Sequence, residues 1–439
     1  MARKQQLGWI AAATVIGTTI EWFDFFIYGT AAALVFNRIV FPSFDQTAAT
    51  LASFSTFAVG LLMRPLGAAI VGHFGDKVGR KSMLMFTLLL MGVPTVLIGL
   101  VPTYEQVGLW AAIMLVVLRI LQGIALGGEW GGAVLMAVEH APAGESALYG
   151  SMPQLGVPLG LICSTGVFAA LSGLSEADFL AWGWRLPFLF SIVLVVLGLV
   201  ARNQIAESPE FERAKAMGRM VRMPAIAVLK SNPGPLLLTM GGKMGEVTLF
   251  YLFTVFLLSF ATSKLGMPRG DVLLSVMMGA GLGIITIPVF GKLSDLFGAR
   301  RIYAFGSVML AICALPLFML VELRSFAAIA AAATLALGIL YPFTYGAQAA
   351  LYSAQFPPEL RYSGISLGVQ MAAAIGGSLA PFVATTLLAT LQSSTAIALY
   401  LAAMALLATF CTLKMRETRR DDAAVRDLAV VADQSSASR

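Results

Sequence analysis

Seven ionisable side chains lie inside otherwise apolar stretches of the sequence. They are four acids and three bases, namely Glu21, Asp24, Glu129, Glu246, Arg64, Arg119 and Lys243. An ionisable group in an apolar segment is costly and is by default a candidate functional residue. Carboxyl groups can accept and release protons, whereas guanidinium and ammonium groups can bind a carboxylate.

All four acids are candidates for proton transfer, and for Glu246 this role depends on its neighbour Lys243. Glu21 and Asp24 are one turn apart, and with Tyr28 they follow a spacing that predicts one helix face. Because two carboxylates so close are costly to ionise together in a low-dielectric cleft, we predict that one of them carries a proton. The alternative is that one acid pairs with a base and only holds helices together. Glu129 lies among four glycines, which favours either a proton or substrate role or close helix packing.

The bases and several neutral polar groups are candidates for substrate binding. Arg119 is predicted to bind a substrate carboxylate or to pair with an acid of the first span. Lys243 and Glu246 are three residues apart, so they form either an internal ion pair or a pair that substrate opens by competing for Lys243, which would make Glu246 a proton carrier. Aromatic and amide side chains complete this predicted set, and they are Tyr28, Gln154, Tyr341, Tyr345 and Gln348.

The composition indicates that these residues are positioned by membrane-spanning helices. Of 439 residues, 58% are apolar and 12% are charged, and the mean hydropathy is +0.85. A soluble domain carries about 25% charged residues, so soluble, secreted, disordered and nucleic-acid-binding proteins are excluded. A spanning helix needs about 20 apolar residues. Twelve segments qualify, and they are 7–36, 48–73, 82–102, 107–140, 146–172, 183–203, 233–262, 270–291, 301–321, 325–354, 362–390 and 394–414.

The distribution of Lys and Arg predicts the orientation. With twelve spans both termini lie on one side, and 21 of the 29 basic residues fall there, against five on the other side. Because positively charged loops stay in the cytoplasm, we expect both termini to be cytoplasmic in a bacterial inner membrane. The net charge of +6 then reflects topology and contact with anionic lipid rather than a nucleic-acid partner.

A repeated loop predicts two halves. A pattern of Gly, three residues, Asp, two residues, Gly and a basic pair follows the second and eighth spans, with Asp76 and Asp295 at matching places. We predict a six-helix half over 1–203, a cytoplasmic linker over 204–232, a second six-helix half over 233–415 and a cytoplasmic tail over 416–439. The repeat also predicts a conformational latch formed by Arg64, Gly72, Asp76, Gly79, Arg80, Asp295 and Arg300.

Several motifs resemble those of known transporters. The segment Gly72–Lys81 resembles the signature loop of the major facilitator superfamily, and Arg119–Gly123 resembles its second motif, which implies a role in proton coupling and adds Gln122 to the substrate-binding set. The segments Glu21–Gly29, Arg64–Gly67 and Gly127–Gly132 resemble the metabolite:proton symporter family. This resemblance implies the major facilitator fold, and members of the family carry small carboxylates, shikimate-type acids, proline or betaine.

The sequence therefore predicts a secondary active transporter rather than an enzyme. We expect a monomer that imports a small organic acid, such as a shikimate-like acid or a dicarboxylate, together with protons. The alternative is a proton-coupled porter for proline or betaine. No phosphate-binding loop, metal-ligand spacing or cofactor motif is recognisable in the sequence, so we expect the proton gradient to supply the energy, with no cofactor and no metal.

Overall fold

The computed structural model describes most of the chain as helices. The backbone is described for residues 2–78, 80–127, 130–139, 141–142, 144–171, 173–203, 224–357 and 360–417. Within those ranges the side chains left undescribed are 2–14, 72–78, 80–84, 132–133, 135–136, 139, 201–203 and 224–227. Every regular element among the described residues is helical, which confirms the predicted all-α class.

The described residues contain the twelve predicted spans. Eleven helices are long and apolar enough to cross a membrane, and a shorter apolar helix lies between the second and the fourth of the twelve. We number them α1 Val15–Ile39, α2 Gln46–Val71, α3 Met85–Gly99, α4 Trp110–Gly127, α5 Ser146–Leu171, α6 Glu176–Val200, α7 Pro233–Lys264, α8 Arg269–Phe297, α9 Ala299–Glu322, α10 Phe326–Ser353, α11 Arg361–Leu391 and α12 Ser394–Leu413.

Polar caps and left-handed residues set several helix ends. Asp45 accepts hydrogen bonds from two backbone N–H groups at the start of α2, where orphan donors need a partner. A tight turn joins the helices of the eleventh and twelfth predicted spans, with Gln392 in the left-handed conformation at φ 51°. The sixth span begins earlier than predicted, at Glu176, because Ser175 caps the helix before its apolar run begins.

Helix packing in the first half is repeated in the second. In the first half α1 packs on α5, α2 on α4 and α3 on α6; in the second, α7 packs on α11, α8 on α10 and α9 on α12. Across the halves, α5 packs on α8 and α2 packs on α11. Adding six to each helix number in the pairs of the first half gives the pairs of the second half, as expected for a duplicated bundle. The predicted domain boundaries themselves stay predictions.

Glycines bring α2 and α4 to backbone distance. A Cβ atom on Gly67 would lie 2.2 Å from the carbonyl oxygen of Ile124, and one on Gly127 would lie 2.0 Å from that of Arg64. Side chains at these positions would force the helices apart, so small residues permit the close contact. The backbone of Arg64 is thereby fixed against α4.

Wide helical turns adjoin several residues at the centre of the bundle. The π-helical turn Leu252–Phe256 follows Tyr251, Ala336–Leu340 precedes Tyr341, and Ala373–Gly377 interrupts α11. A π turn inserts an extra residue per turn and is frequent at functional sites. These turns change which side chains face inward relative to an uninterrupted α-helix.

Candidate functional site between the two halves

A cavity lies between the two sets of six helices. Its wall comes from α1, α2, α4 with the following helix Trp130–Glu139, α5, α7, α10 and α11. Four charged side chains line it, and all are buried: Glu21, Arg64, Lys243 and Glu246. Both halves contribute one acid and one base, so the described wall has no net formal charge.

Lys243 is the centre of a hydrogen-bond network in the cavity wall. Its Nζ donates to Glu246 Oε2 at 2.5 Å and to Gln348 Oε1 at 2.8 Å. The same ammonium lies 5.5 Å from the centre of the Tyr345 ring. Breaking a buried pair by removing one partner leaves an uncompensated charge. The pair is therefore costly to open unless another charged group replaces one member.

The network continues across the interface between the halves. Gln348 Nε2 donates to Gln154 Oε1, and Gln154 Nε2 donates to the backbone oxygen of Tyr345 at 2.8 Å. Gln154 lies in a 3₁₀ turn at Pro153–Leu155 within α5. The ion pair of α7 is thus linked through α10 to a helix of the first half.

Arg64 lines the same cavity as Lys243 and Glu246. Its guanidinium carbon is 4.6 Å from the centre of the Phe25 ring and 5.5 Å from that of Trp22, distances that allow cation–π attraction. Glu21 and Tyr251 interact with it electrostatically. The sequence predicts a latch role for Arg64, but the structure places this side chain in the cavity wall because α2 presents it towards α1 and α7.

Aromatic rings form most of the remaining wall. Tyr341 and Tyr345 stack with ring centres 4.5 Å apart, and Phe250 stacks on Tyr341 at 4.9 Å. Trp22 meets Phe250 edge-on at 6.1 Å. A cavity with apolar aromatic walls and a few charged groups is the usual form of a small-molecule site.

Asp24 is buried away from this cavity. Ser191 Oγ donates to its Oδ1 at 2.6 Å, and Thr95 Oγ1 lies 3.2 Å from its Oδ2. Glu21 and Asp24 are about 60° apart around α1, which is enough to place Glu21 on the cavity and Asp24 between α3 and α6. The predicted acidic pair therefore does not form one site.

Arg119 also lies outside the cavity wall. Its guanidinium carbon is 4.0 Å from the centre of the Tyr28 ring, and its Nη1 donates to Gln122 Oε1 at 2.7 Å. Gln122 Nε2 donates to Thr95 Oγ1 at 2.7 Å. Leu126, seven residues along α4, does line the cavity, so Arg119 is on a similar face but about 10 Å away along the helix axis.

The structure thus separates the predicted substrate-binding residues into three groups. Lys243, Tyr341 and Tyr345 line the cavity. Gln348 accepts a hydrogen bond from Lys243 and donates one to Gln154, and neither glutamine lines the cavity. The remaining three are enclosed within the first half, and they are Tyr28, Arg119 and Gln122. Tyr28 donates to Thr56 Oγ1 there at 2.6 Å.

The predicted proton-coupling residues are similarly divided. Glu21 and Glu246 are in the cavity, whereas Asp24 is not. Glu129 lies outside the described residues. The roles assigned to all four stay predictions.

Among the described residues of the predicted latch, Asp295, in the second copy of the repeated loop, connects the two halves. Asp295 of α8 accepts hydrogen bonds from the backbone N–H groups of Ala147 and Leu148, both at 2.9 Å. Lys292 pairs with Glu145 at 2.8 Å beside this contact. An acid at a helix start satisfies orphan donors and favours the helix dipole. Asp295 therefore joins α8 to the start of α5.

The other latch residues do not make this contact or are not described. Arg300 pairs at 3.0 Å with Glu417, which follows α12, and so does not join the two halves. Gly79 lies outside the described residues, as do the side chains of Asp76 and Arg80 and the surroundings of Gly72.

Sequence reasoning missed several cavity residues. Phe250 and Tyr251 are absent from the predicted set, although Phe250 follows Lys243 by seven residues and so shares its helix face. Trp22 and Trp130 also line the cavity. Gln370 of α11, which the sequence indicates as a weaker candidate for the cavity, lies there too, close to the π turn at Ala373–Gly377. The heptad spacing on α7 is the one signal that would have found Phe250.

Known proteins resemble the chain over nearly its whole length. The model of the Major Facilitator Superfamily matches residues 14–381 and 287–427. The inner membrane metabolite transport protein YhjE of Escherichia coli is 44% identical over 93% of this chain and 94% of its own. The shikimate transporter of the same organism is 41% identical over 95% of both chains. The E. coli proline/betaine transporter is 31% identical over 92% of this chain and 83% of its own.

Solved structures show the same fold at low sequence identity. The xylose transporter XylE from E. coli, in a partially occluded inward-open conformation, matches with a TM-score of 0.72 and 18% identity over 93% of this chain and 98% of its own. The predicted twelve-helix architecture is confirmed by this match.

Proposed function

Because the chain belongs to the major facilitator superfamily and is a multi-pass transporter of the inner membrane, we propose that it imports a small organic acid together with protons. The observation that carries this proposal is the pair of buried cations in one cavity, Arg64 and Lys243. Each can bind a carboxylate, and aromatic rings around them can enclose the rest of a small molecule. The 41% identity to a shikimate transporter supports the same class of substrate.

The ion pair on α7 supplies a mechanism for coupling binding to movement. A polar group of the substrate that competes for Lys243 would release Glu246, which then requires a proton because an unpaired buried carboxylate is costly. The release would also weaken the bond between Lys243 and Gln348, and with it the link from Gln348 to Gln154 in the other half. Binding and protonation together would thus loosen contact between the halves.

Alternating access then follows from the duplicated packing. In this proposal the two halves rock about the cavity so that it opens first to one side and then to the other. Asp24 is the candidate proton carrier enclosed within the first half, and Glu21 and Glu246 are the candidates in the cavity. We propose that both termini are cytoplasmic, that the protein acts as a monomer surrounded by lipid, and that the proton gradient drives it without a cofactor.

A second candidate function is a proton-coupled porter for proline or betaine. The relative at 31% identity with that name supports it, and so does the cavity, since Trp22, Tyr251 and Glu21 could surround a quaternary ammonium group. The two candidates share a fold and differ only in the ligand that the cavity accepts.

Uptake by the full-length protein in proteoliposomes tests the proposal. With an inward proton gradient we expect accumulation of a radiolabelled organic acid, such as shikimate, and no accumulation when a protonophore dissipates the gradient. Glycine betaine, measured with and without raised external osmolality, is the competing substrate. Accumulation of betaine but of no acid would replace the proposed function with the second candidate, and flux of neither ligand would contradict both.

A further inference from the structure

Arg64 has two hydrogen-bond donors without a protein partner. The side chain is 5% exposed, yet no residue of the described chain accepts a hydrogen bond from its Nε or Nη2. An unsatisfied buried donor is costly. Arg119 has the same two unsatisfied donors, but Arg119 does not line the cavity, whereas Arg64 does. Because Arg64 lines the cavity, its free N–H groups indicate a ligand that is absent from the protein chain alone.

The two donors have the geometry of a carboxylate site. Nε and Nη2 lie on the same edge of the guanidinium, where two parallel N–H groups match the two oxygens of a carboxylate. The position of the group is held by the rings of Trp22 and Phe25 and by the close contact between the Arg64 backbone and Gly127. Preorganisation of this kind reduces the cost of binding.

Gln370 provides the complementary observation on another part of the wall. Its side chain is 3% exposed and lines the same cavity, and among the described residues none donates a hydrogen bond to its Oε1. The helix segment that carries it, Arg361–Ala372, packs against the segment Arg64–Val78. The cavity therefore presents two unused donors on one wall and an unused acceptor on an adjacent wall.

We propose that Arg64 binds the substrate carboxylate through Nε and Nη2, and that Gln370 accepts a hydrogen bond from a hydroxyl group of the same molecule. The substrate class is then a hydroxylated carboxylic acid. Glycine betaine has a carboxylate but no donor for Gln370, so it would leave the amide oxygen unsatisfied. This assignment rests on the proposed function, since it places chemical groups in the same transport cavity.

Binding of two matched acids to the full-length protein in lipid nanodiscs tests the assignment. Shikimate and cyclohex-1-ene-1-carboxylate share a ring and a carboxylate, but only the first carries hydroxyl groups. By calorimetry we expect the wild-type protein to bind shikimate about tenfold more tightly or better, because one satisfied buried acceptor is worth roughly that factor. Glycine betaine is measured as the third ligand.

Two variants separate the two contacts. Gln370→Leu should weaken shikimate binding by about tenfold and leave the unhydroxylated acid nearly unchanged. Gln370→Glu keeps acceptor oxygens at this position and should retain the preference for shikimate. Arg64→Gln should weaken both acids by about 30-fold or more, since it removes the charged partner of a buried carboxylate. Thermal unfolding of each variant shows whether it is folded.

The outcomes distinguish this inference from the proposed function. If wild-type protein accumulates an acid with protons but Gln370→Leu keeps the preference for shikimate, the role of Gln370 is wrong and the transport function stands. If Arg64→Gln is folded and binds both acids normally, the carboxylate subsite is elsewhere. If the wild-type protein binds neither acid and shows no proton-linked uptake of one, the proposed function fails and this inference fails with it.

Discussion

Two buried polar clusters of the molecule differ in what they face. The cavity cluster consists of Glu21, Arg64, Lys243 and Glu246, and these line a space between the halves. The interior cluster consists of Asp24, Thr95, Gln122, Arg119 and Ser191, and it is a continuous chain of hydrogen bonds within the first half. Both are buried to a similar degree, so burial alone does not identify a binding residue.

The difference lies in whether the charged groups line the cavity. In the interior cluster, Asp24 contacts two hydroxyl groups, and Arg119 lies over the Tyr28 ring with its Nε and Nη2 unpaired within the described chain but away from the cavity wall. In the cavity cluster, Lys243 shares its charge with an acid that a ligand could displace, and Arg64 keeps two free donors. We therefore propose that the cavity cluster binds substrate and that the interior cluster holds a proton without contacting substrate.

The largest expected effect comes from breaking the ion pair of the cavity cluster. Lys243→Met leaves Glu246 as an uncompensated buried carboxylate, and removal of one member of such a pair costs about 3–5 kcal/mol. We expect a correspondingly lower free energy of unfolding and no proton-driven uptake. Unfolding in detergent and uptake in proteoliposomes measure the two effects.

The double variant Lys243→Met with Glu246→Met is the matched control. Since it removes both charges, it should recover most of the lost stability while uptake stays absent. If the double variant instead loses as much free energy of unfolding as the two single variants combined, the two charges are not energetically coupled.

A second prediction separates the two acids of α1. Asp24→Asn should leave substrate affinity within about twofold, because Asp24 does not line the cavity, but should reduce proton-driven accumulation by about tenfold or more. Glu21→Gln should change substrate affinity, since Glu21 is in the cavity wall beside Arg64. Counterflow exchange measures translocation without a gradient, and gradient-driven uptake measures coupling. Loss of binding in Asp24→Asn would contradict the separation of the clusters.

The sequence predicted helices well because the membrane imposes a length and a composition on each span. The turn near Gln392 and the twelve apolar segments follow from those two constraints. The start of α6 does not, because capping by Ser175 extends the helix into polar residues. Local capping chemistry, rather than hydropathy, decides such ends.

The site was harder to predict because it depends on which face of each helix meets the cavity. Glu21 and Asp24 are three positions apart on α1, yet only Glu21 lines the cavity. Arg119 and Leu126 are about 10 Å apart along the axis of α4, and only Leu126 lines it. Arg64 is close in sequence to the loop motif, which suggested a latch, whereas its contacts are with Trp22 and Phe25. Tertiary packing supplies this information, and no spacing within one segment contains it.

A third prediction applies the same substitution to both clusters. Arg119→Lys removes a planar group from the Tyr28 face and should lower the free energy of unfolding by about 1–2 kcal/mol, with little change in acid affinity. Arg64→Lys removes the paired N–H groups from the cavity and should lower acid affinity by about tenfold, with little change in stability. Calorimetric binding and unfolding of both variants give a two-by-two comparison. Equal effects of the two variants on affinity would show that Arg119 contacts the substrate after all.

The smallest expected effect tests whether the interior cluster acts as one unit. Thr95 is the link between Asp24 and Gln122, and Thr95→Val keeps its shape while removing the hydroxyl, at a cost of about 1 kcal/mol in stability. Thr95→Ser keeps the hydroxyl and serves as the control. If the chain of hydrogen bonds connects the charge state of Asp24 to Arg119, the effects of Thr95→Val and Asp24→Asn on gradient-driven uptake should be non-additive in a double-mutant cycle. Additive effects would mean that Asp24 works independently of Arg119, and the interior cluster would then be two neighbouring sites rather than one.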